Sequence, residues 1–581
     1  MSSSSGSFVP PHLRRFIVEQ HYERYTAEDQ AVWRFLMRQL RDSLASRAEA
    51  TYLEGFKRTG LQTESIPRIE DIDRHLQEFG WRAIPVSGFI PPAAFLEFQS
   101  LAILPIATDM RTIEHVLYTP APDIVHEAAG HAPMLVHPEY NAYLRGYASV
   151  ASKAIFSKED LNQYEAIRQL SDIKEHPQST REQILLAEQK LLDVNKTLSF
   201  VSEAGWLARL GWWTTEYGLI GSVRAPKIYG AGLLSSLGES RDCFRPQVRK
   251  IPLSIDCIET SYNITEPQPQ LFVVEKLSGL QDVLHQLEER MAFRCGGTAG
   301  LATALKARTV NTVQLNSGLQ ISGQLAKVYE SGDRTDYLQF QGPCQLAFAN
   351  RELPGHGTST HSSGFGTPVG LLKNQDQCLS EMSNEQLLAC GLRNGHPCRL
   401  EFASGVTVHG TLVEALSREK THLILSFEQC SVEYQSQILF DPSWGRFDMA
   451  LGKSVVSVFG GSADREKYPI SEEFAVSQVP QKTYSAGQLR RHAFYEKIRQ
   501  LRSHKSHTTF AAQLCNYVTE YLSEWADQWL LGVELLELLT LTDLRKETDA
   551  ILSHLHHDAD AEPSDRQFCI DQGIRLAAHG L

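Results

Sequence analysis

Two imidazoles and a carboxylate fall inside nine residues at Asp123-Ile124-Val125-His126-Glu127-Ala128-Ala129-Gly130-His131, a segment otherwise apolar and helical in pattern. Imidazole suits borderline metals such as iron and zinc, so a local histidine pair is a metal-site candidate. On an α-helix five residues advance about 500°, which leaves His131 about 140° away from His126. Zinc peptidases use i, i+4, so a zinc peptidase is the weaker reading. Gly130 is positioned to relax the backbone at the helix end and swing His131 back. A catalytic non-haem iron adds one carboxylate to two histidines and leaves three positions open. Glu216, in Gly211-Trp212-Trp213-Thr214-Thr215-Glu216-Tyr217-Gly218-Leu219, is the candidate third ligand. A capped helix with two satisfied histidines and a surface glutamate accounts for the same residues, and spacing alone does not separate the two.

Three ordered motifs go further. Tyr118-Thr119-Pro120-x-Pro122-Asp123-Ile124-x-His126-Glu127-x-x-Gly130-His131 resembles the iron segment of the tetrahydrobiopterin-dependent aromatic amino acid hydroxylases, the phenylalanine 4-hydroxylase type among them. Trp212-x-Thr214-x-Glu216-x-Gly218-Leu219 is similar to their glutamate segment, and Tyr229-Gly230-Ala231-Gly232-Leu233-Leu234-Ser235-Ser236-x-Gly238-Glu239 to the one that follows. The likeness runs from Tyr25 to Pro269, roughly the first half of the chain.

The resemblance implies a mainly α-helical catalytic domain over 8–296 that holds Fe2+ on His126, His131 and Glu216 and uses tetrahydrobiopterin or a related reduced pterin. It also implies the pockets. Arg111 would hold the substrate α-carboxylate, a task suited to a planar pair of donors. Thr119, Pro122, Trp212, Tyr217, Gly232 and Ser235 would surround the amino acid, with Trp212 as a wall for its ring and Ser235 supporting the ligands. Gly88, Phe89, Phe95, Leu96 and Ala208 would line the pterin side, Phe95 by stacking, and Glu127 would face the pterin. The implied activity is ring hydroxylation of phenylalanine to tyrosine. Other aromatic amino acids, or a degenerate metal-binding scaffold, are the alternatives. Departures are Pro105 and Gly211, where relatives often carry histidine and tyrosine, and Pro92 in place of a serine of the pterin loop. They bear on the oxygen pocket and on pterin affinity. No N-terminal regulatory domain of the animal kind is expected.

The elements that must position these residues sit in a chain of 581 residues, long enough for two to four domains. A net charge of -13 argues against a polyanion or an anionic membrane as partner. Small molecules are therefore the expected partners, with no nucleic acid and no membrane. All ten cysteines lie at or after Cys243 without a C-x-x-C pair, which fits reduced thiols. The start has neither basic nor apolar regions of a signal peptide, and no apolar run is membrane-length; Glu534 and Glu537 interrupt the nearest, Trp529–Leu541. A soluble, cytoplasmic protein is the expectation.

Residues 1–10 read as disordered, and Tyr25 to about Gly60 as helical, with Trp33, Leu36, Leu40 and Leu44 on one face. Between His131 and Glu216 stand 84 residues, more than the family spacing. The excess, 158–198, reads as a solvated helical hairpin turning at Pro177. A β-rich region over 303–480 carries an internal repeat. Ser317-Gly318 and Ser404-Gly405 open the same pattern at an offset of 87 residues. Between the copies lies a Gly/Ser/His-rich loop. Its His356 and His361 are metal-ligand types, within a composition that more commonly marks flexibility. The remainder, 486–581, reads as helical, with Tyr517, Leu522, Trp525, Trp529 and Leu530 on a buried face and His554, His556 and His557 in a polar linker. With no recognisable catalytic cluster in this half, a role in assembly is the expectation.

Overall fold

The computed structural model describes residues 8–88, 90–117, 122–175, 179–264, 266–469, 484–504, 509–561 and 564–578. They form two compact units, each drawn from separated stretches: 1–146, 209–281 and 476–581 in one, 147–208 and 282–475 in the other.

In the first unit, the helix Ala27–Leu44 starts at a capping box. The Thr26 hydroxyl accepts from the Asp29 N–H while the Asp29 carboxylate takes the Thr26 N–H. Trp33, Leu36, Leu40 and Leu44 are all buried. The helical stretch expected to reach Gly60 is broken in two. The second helix is Tyr52–Arg58, because Arg47, Ala48 and Glu49 leave the helix to exchange backbone hydrogen bonds with Ile228. Residues 8–10 are also ordered, contrary to expectation: Val9 is buried among Leu13, Phe16, Ile84 and Phe98. Residues 1–7 lie outside those described.

Strands Arg82–Val86 and Ile103–Ala107 pair in parallel, joined by the helix Pro92–Ser100. Pro105 sits inside the second strand opposite Ile84. A second sheet follows Glu216 directly, in the order Ala225–Ile228, Leu219–Ser222, Gln270–Val274, Arg249–Pro252.

The C-terminal helices Ala486–Ser503, Phe510–Glu524, Trp529–Leu539, Arg545–Ala561 and Ser564–Ala578 complete this unit. Trp529–Leu539 is buried along its whole length, as a helix apolar on all sides must be. Its two acids are matched by guanidinium groups. Glu534 accepts from Arg34 (2.9 and 2.6 Å) and Arg502 (2.9 Å), and Glu537 pairs with Arg502 (2.8 Å) and Arg38 (2.6 Å). Two expectations are corrected here. The buried face of Phe510–Glu524 is Phe510, Leu514, Val518 and Tyr521, while Leu522 is exposed and Tyr517 half-buried. His554, His556 and His557 belong to the helix Arg545–Ala561, with His554 Nε2 2.6 Å from the Ala526 carbonyl, so they form no linker. Among the described residues no helix is long and apolar enough to cross a membrane.

The second unit contains the paired helices Lys158–Glu175 and Arg181–Thr197, held by a small cluster of Ala166, Leu170, Ala187 and Leu191. Pro177 lies outside the described residues. Two antiparallel sheets follow. In one, a long hairpin pairs Leu319–Ser331 with Arg334–Phe348; in the other, Thr407–Arg418 pairs with Thr421–Tyr434. Each hairpin follows a Ser-Gly turn, with Gly318 at φ +86° and Gly405 at φ +89°, a conformation open to glycine. Gly364–Pro368 joins the outer flank of the first hairpin, and Phe447–Ala450 that of the second. All ten cysteines are free thiols.

Candidate metal centre and active site

Both segments that carry candidate ligands are π-helical: His126–His131 and Trp212–Glu216. A π-helix bonds i to i+5, so residues five apart share a face, and such turns occur at functional sites. This narrows the mismatch of about 140° expected for an α-helix. The two imidazoles stand edge to face with centroids 5.0 Å apart. Gly130 therefore acts differently from expectation. It does not uncoil a helix end; its missing side chain admits the Ala231 carbonyl, which would stand 2.7 Å from a Cβ there. Gly230 likewise lets the backbone come against the Glu216 carbonyl, 2.4 Å from where a Cβ would stand.

Glu216 closes the cluster. Its Oε1 lies 3.0 Å from His131 Nε2 and its Oε2 3.3 Å from His126 Nε2. His126 and Glu216 keep 18% and 24% side-chain exposure against 3% for His131, so the cluster has one solvent-facing side and a buried floor. The surroundings settle the His126 tautomer. The Ser235 hydroxyl donates its one proton to the Ala231 carbonyl (2.7 Å), so it can only accept from His126 Nδ1, 3.2 Å away. Nε2 is then the ring atom turned toward the Glu216 carboxylate. A nitrogen facing a carboxylate in this way can share a proton with it or, with the proton on Nδ1, coordinate a divalent ion beside it.

Burial alone would raise the pKa of Glu216, but His131 and His126 outweigh it and hold the group well below the usual carboxylate range. Glu127 goes the other way. Burial pushes it up to about 8, with His131 opposing and Glu216 and Asp123 adding to the rise. Its Oε2 is buried without a hydrogen-bond partner. A cation on the triad would favour the ionised form again.

Arg111 is buried and grips Asp123 with both arms of its fork, Nε to Oδ2 at 2.7 Å and Nη2 to Oδ1 at 2.8 Å. Its Nη1 donates to the Ser235 carbonyl at 3.2 Å. Three of its five N–H groups are thus used, leaving one on each terminal nitrogen. Trp212 stacks with Tyr217 (centroids 4.6 Å) and Tyr262 (4.3 Å), and its Nε1 is buried without a partner. Gly232 lies against the Glu216 carbonyl and the Tyr217 ring. Pro122 is half-buried beside Asp123. Gly88 takes φ +50° and donates its N–H to Asp109 at 3.3 Å. Phe95 and Leu96 are half-buried on Pro92–Ser100, and Ala208 is exposed on Glu203–Gly211. Phe89 and Thr119 lie outside the described residues.

Two contributors escaped the sequence reading. Asp123 holds Arg111 and also accepts the His126 N–H at 3.0 Å. An aspartate three residues ahead of a helical histidine is a capping pattern, and that signal was present. Tyr262 completes the ring stack from 50 residues beyond Trp212, with no local signal.

In the first unit two histidines and one carboxylate converge as a candidate metal site, a ligand set of the kind non-haem iron oxygenases use. Comparison with known proteins narrows that class. The family model described as biopterin-dependent aromatic amino acid hydroxylase matches residues 20–163 and 189–295, the interruption falling in the helical hairpin. The chain is 28% identical over 277 residues to the phenylalanine-4-hydroxylase of Vibrio cholerae, covering 47% of this chain and 79% of the relative. It is 29% identical over 282 residues to that of Pseudomonas aeruginosa, covering 46% and 87%. It is 31% identical over 216 residues to the chloroplastic phenylalanine 4-monooxygenase of Pinus taeda, covering 37% and 48%. Among solved structures, Chromobacterium violaceum phenylalanine hydroxylase with iron(III) and 7,8-dihydrobiopterin aligns at 26% identity and TM-score 0.38, over 47% of this chain and 85% of that one. The matched residues of this chain are thus similar to the catalytic region of aromatic amino acid hydroxylases.

Proposed function

We propose that the chain is a pterin-dependent monooxygenase that hydroxylates the ring of phenylalanine to give tyrosine. The single observation that carries this is the convergence of His126 Nε2, His131 Nε2 and both oxygens of Glu216 in a pocket open on one side. His126, His131 and Glu216 would hold iron(II), which with reduced pterin supplies the activation of O2. The chain's own groups do the rest. Ser235 fixes the His126 ring with Nδ1 as donor, turning Nε2 toward the metal position. Asp123 pins the Arg111 guanidinium, and its two remaining N–H groups would take the substrate carboxylate. A phenylalanine ring would join the Trp212–Tyr217–Tyr262 stack by offset or edge contact, worth about 0.5–1.5 kcal/mol beyond burial. Glu127, with Gly88, Phe95 and Leu96, would border the pterin.

Phenylalanine is favoured over other rings by the names of the relatives. A pocket that separates substrates by one small group does so with about 1–3 kcal/mol. The test is anaerobic iron loading of the full chain, followed by product analysis with tetrahydropterin and each aromatic amino acid. Tyrosine formed from phenylalanine, and lost in His126→Ala and Glu216→Ala, supports the assignment. Iron-loaded protein that oxidises pterin with none of them would make this a scaffold instead.

A further inference from the structure

A second constellation of metal-ligand side chains lies in the β-rich unit, away from any hydroxylase motif. His356 and His361 come from the loop between Arg351–Glu352 and Gly364–Pro368, and Asp448 from the strand Phe447–Ala450. Side-chain exposure is 6%, 9% and 5%, so all three groups are withdrawn from water. Burying two imidazoles and a carboxylate is costly unless something satisfies them together.

Their separations narrow the choice. His356 Nδ1 and His361 Nε2 are 3.3 Å apart, and Asp448 Oδ2 is 3.8 Å from the first and 3.9 Å from the second. A trio that satisfied itself by hydrogen bonding would draw its carboxylate in to about 2.7–3.2 Å. Ligand atoms about 2.1 Å from one ion, at tetrahedral angles, stand about 3.4 Å apart. The point equidistant from the three atoms lies in their plane about 2.1 Å from each, the bond length of zinc to imidazole and carboxylate, and the two longer sides would close by about 0.4 Å as a tetrahedral ion rose from that plane toward a fourth ligand.

The supporting groups are also in place. Asp448 Oδ1, the oxygen turned away from the imidazoles, accepts from the Ser426 hydroxyl at 2.5 Å and from Arg446 Nε at 3.0 Å. Arg446 is in turn neutralised by Glu414 at 2.6 Å. That orients the carboxylate and reserves Oδ2, the usual role of partners behind a metal ligand. The loop is shaped to match, with the His361 N–H donating to Gly357 and the two rings stacked 15° from parallel.

We infer that His356, His361 and Asp448 bind one divalent first-row transition ion of the zinc class. It would tie the histidine loop of one sheet to a strand of the other. Two nitrogen ligands exclude magnesium and calcium, which take oxygen.

The test uses the full-length chain without a polyhistidine tag, in the His126→Ala background, so that the hydroxylase centre contributes nothing. Elemental analysis of this variant as purified should find one equivalent of a transition metal. After chelation, added Zn2+ or Co2+ should rebind at one equivalent and raise the thermal midpoint, while Mg2+ and Ca2+ leave it unchanged. Adding Asp448→Asn, which keeps the side-chain shape, should weaken Zn2+ binding by at least about 10-fold, and His361→Ala should remove the equivalent. Metal-free protein that neither binds Zn2+ nor shifts its midpoint would overturn the inference. So would binding that survives both substitutions. Either result leaves the hydroxylase reading untouched.

Discussion

The two histidine–carboxylate clusters differ in backbone and in access, although their ligand sets nearly coincide. In each, the histidines are five residues apart, and the carboxylate follows the second by 85 residues (Glu216) or 87 (Asp448). In the hydroxylase unit both ligand segments are π-helical, and regular backbone presents the side chains. In the β unit a hydrogen-bonded loop does the same work. The hydroxylase cluster keeps a quarter of Glu216 in contact with solvent, whereas no ligand of the other exceeds 9% exposure. A centre that must admit oxygen, cofactor and substrate needs an open side. A centre that only holds two strands of structure together can close. Ligand chemistry alone therefore does not assign a role; the accessible side does.

The largest way to break that contrast is to exchange readouts. Glu216→Ala should cut tyrosine formation by more than about 100-fold, beyond what loss of a supporting group costs, and leave the thermal midpoint of the β unit unchanged. His361→Ala should lower that midpoint and spare turnover measured well below it. A single variant that changed both would erase the distinction.

A third buried cluster sharpens it, because it needs no ion. Arg34→Ala leaves Glu534 with less compensation inside the core and should cost about 3–5 kcal/mol of stability in urea unfolding. Metal content should not change. Next come the supporting hydroxyls. Ser235→Ala frees the His126 ring and should weaken iron binding or activity by about 10–100-fold. Ser426→Ala should weaken only the zinc-class site, which metal titration of each variant would resolve.

The most local effect concerns Glu239. Burial, reinforced by Asp242, pushes it up to about 7, while the Tyr217 hydroxyl opposes. Its folded form therefore prefers the proton, and the contribution favouring folding is present below pH 4.5 and fades as pH rises to about 7. Glu239→Gln should gain on the parent protein across that window by at most about 1.4 kcal/mol per pH unit, measured by denaturation at pH 5 and pH 7.5.

Motif order brought out the candidate hydroxylase ligands because His126, His131 and Glu216, which the fold brings together, sit in runs whose neighbours are themselves constrained. Gly130 and Gly230 admit close backbone and Asp123 caps the helix. The π-turns were invisible, since hydrophobic spacing does not distinguish them from α-helix over six residues. The second cluster was half visible. His356 and His361 stood out, but the Gly/Ser-rich composition around them read as flexibility, and nothing local pointed to Asp448. The C-terminal helices misled through Leu522 and the 554–557 histidines, where the buried face follows Phe510, Leu514, Val518 and Tyr521 instead.

Arg34 and Glu534 stand 500 residues apart and share two buried hydrogen bonds. While the chain is being made, the helix Ala27–Leu44 leaves the ribosome long before the helix that neutralises it exists. The hydroxylase unit must wait, incomplete along one flank, through synthesis of the entire β-rich segment. Nascent chains stalled before Trp529 should thus be the form most dependent on chaperones.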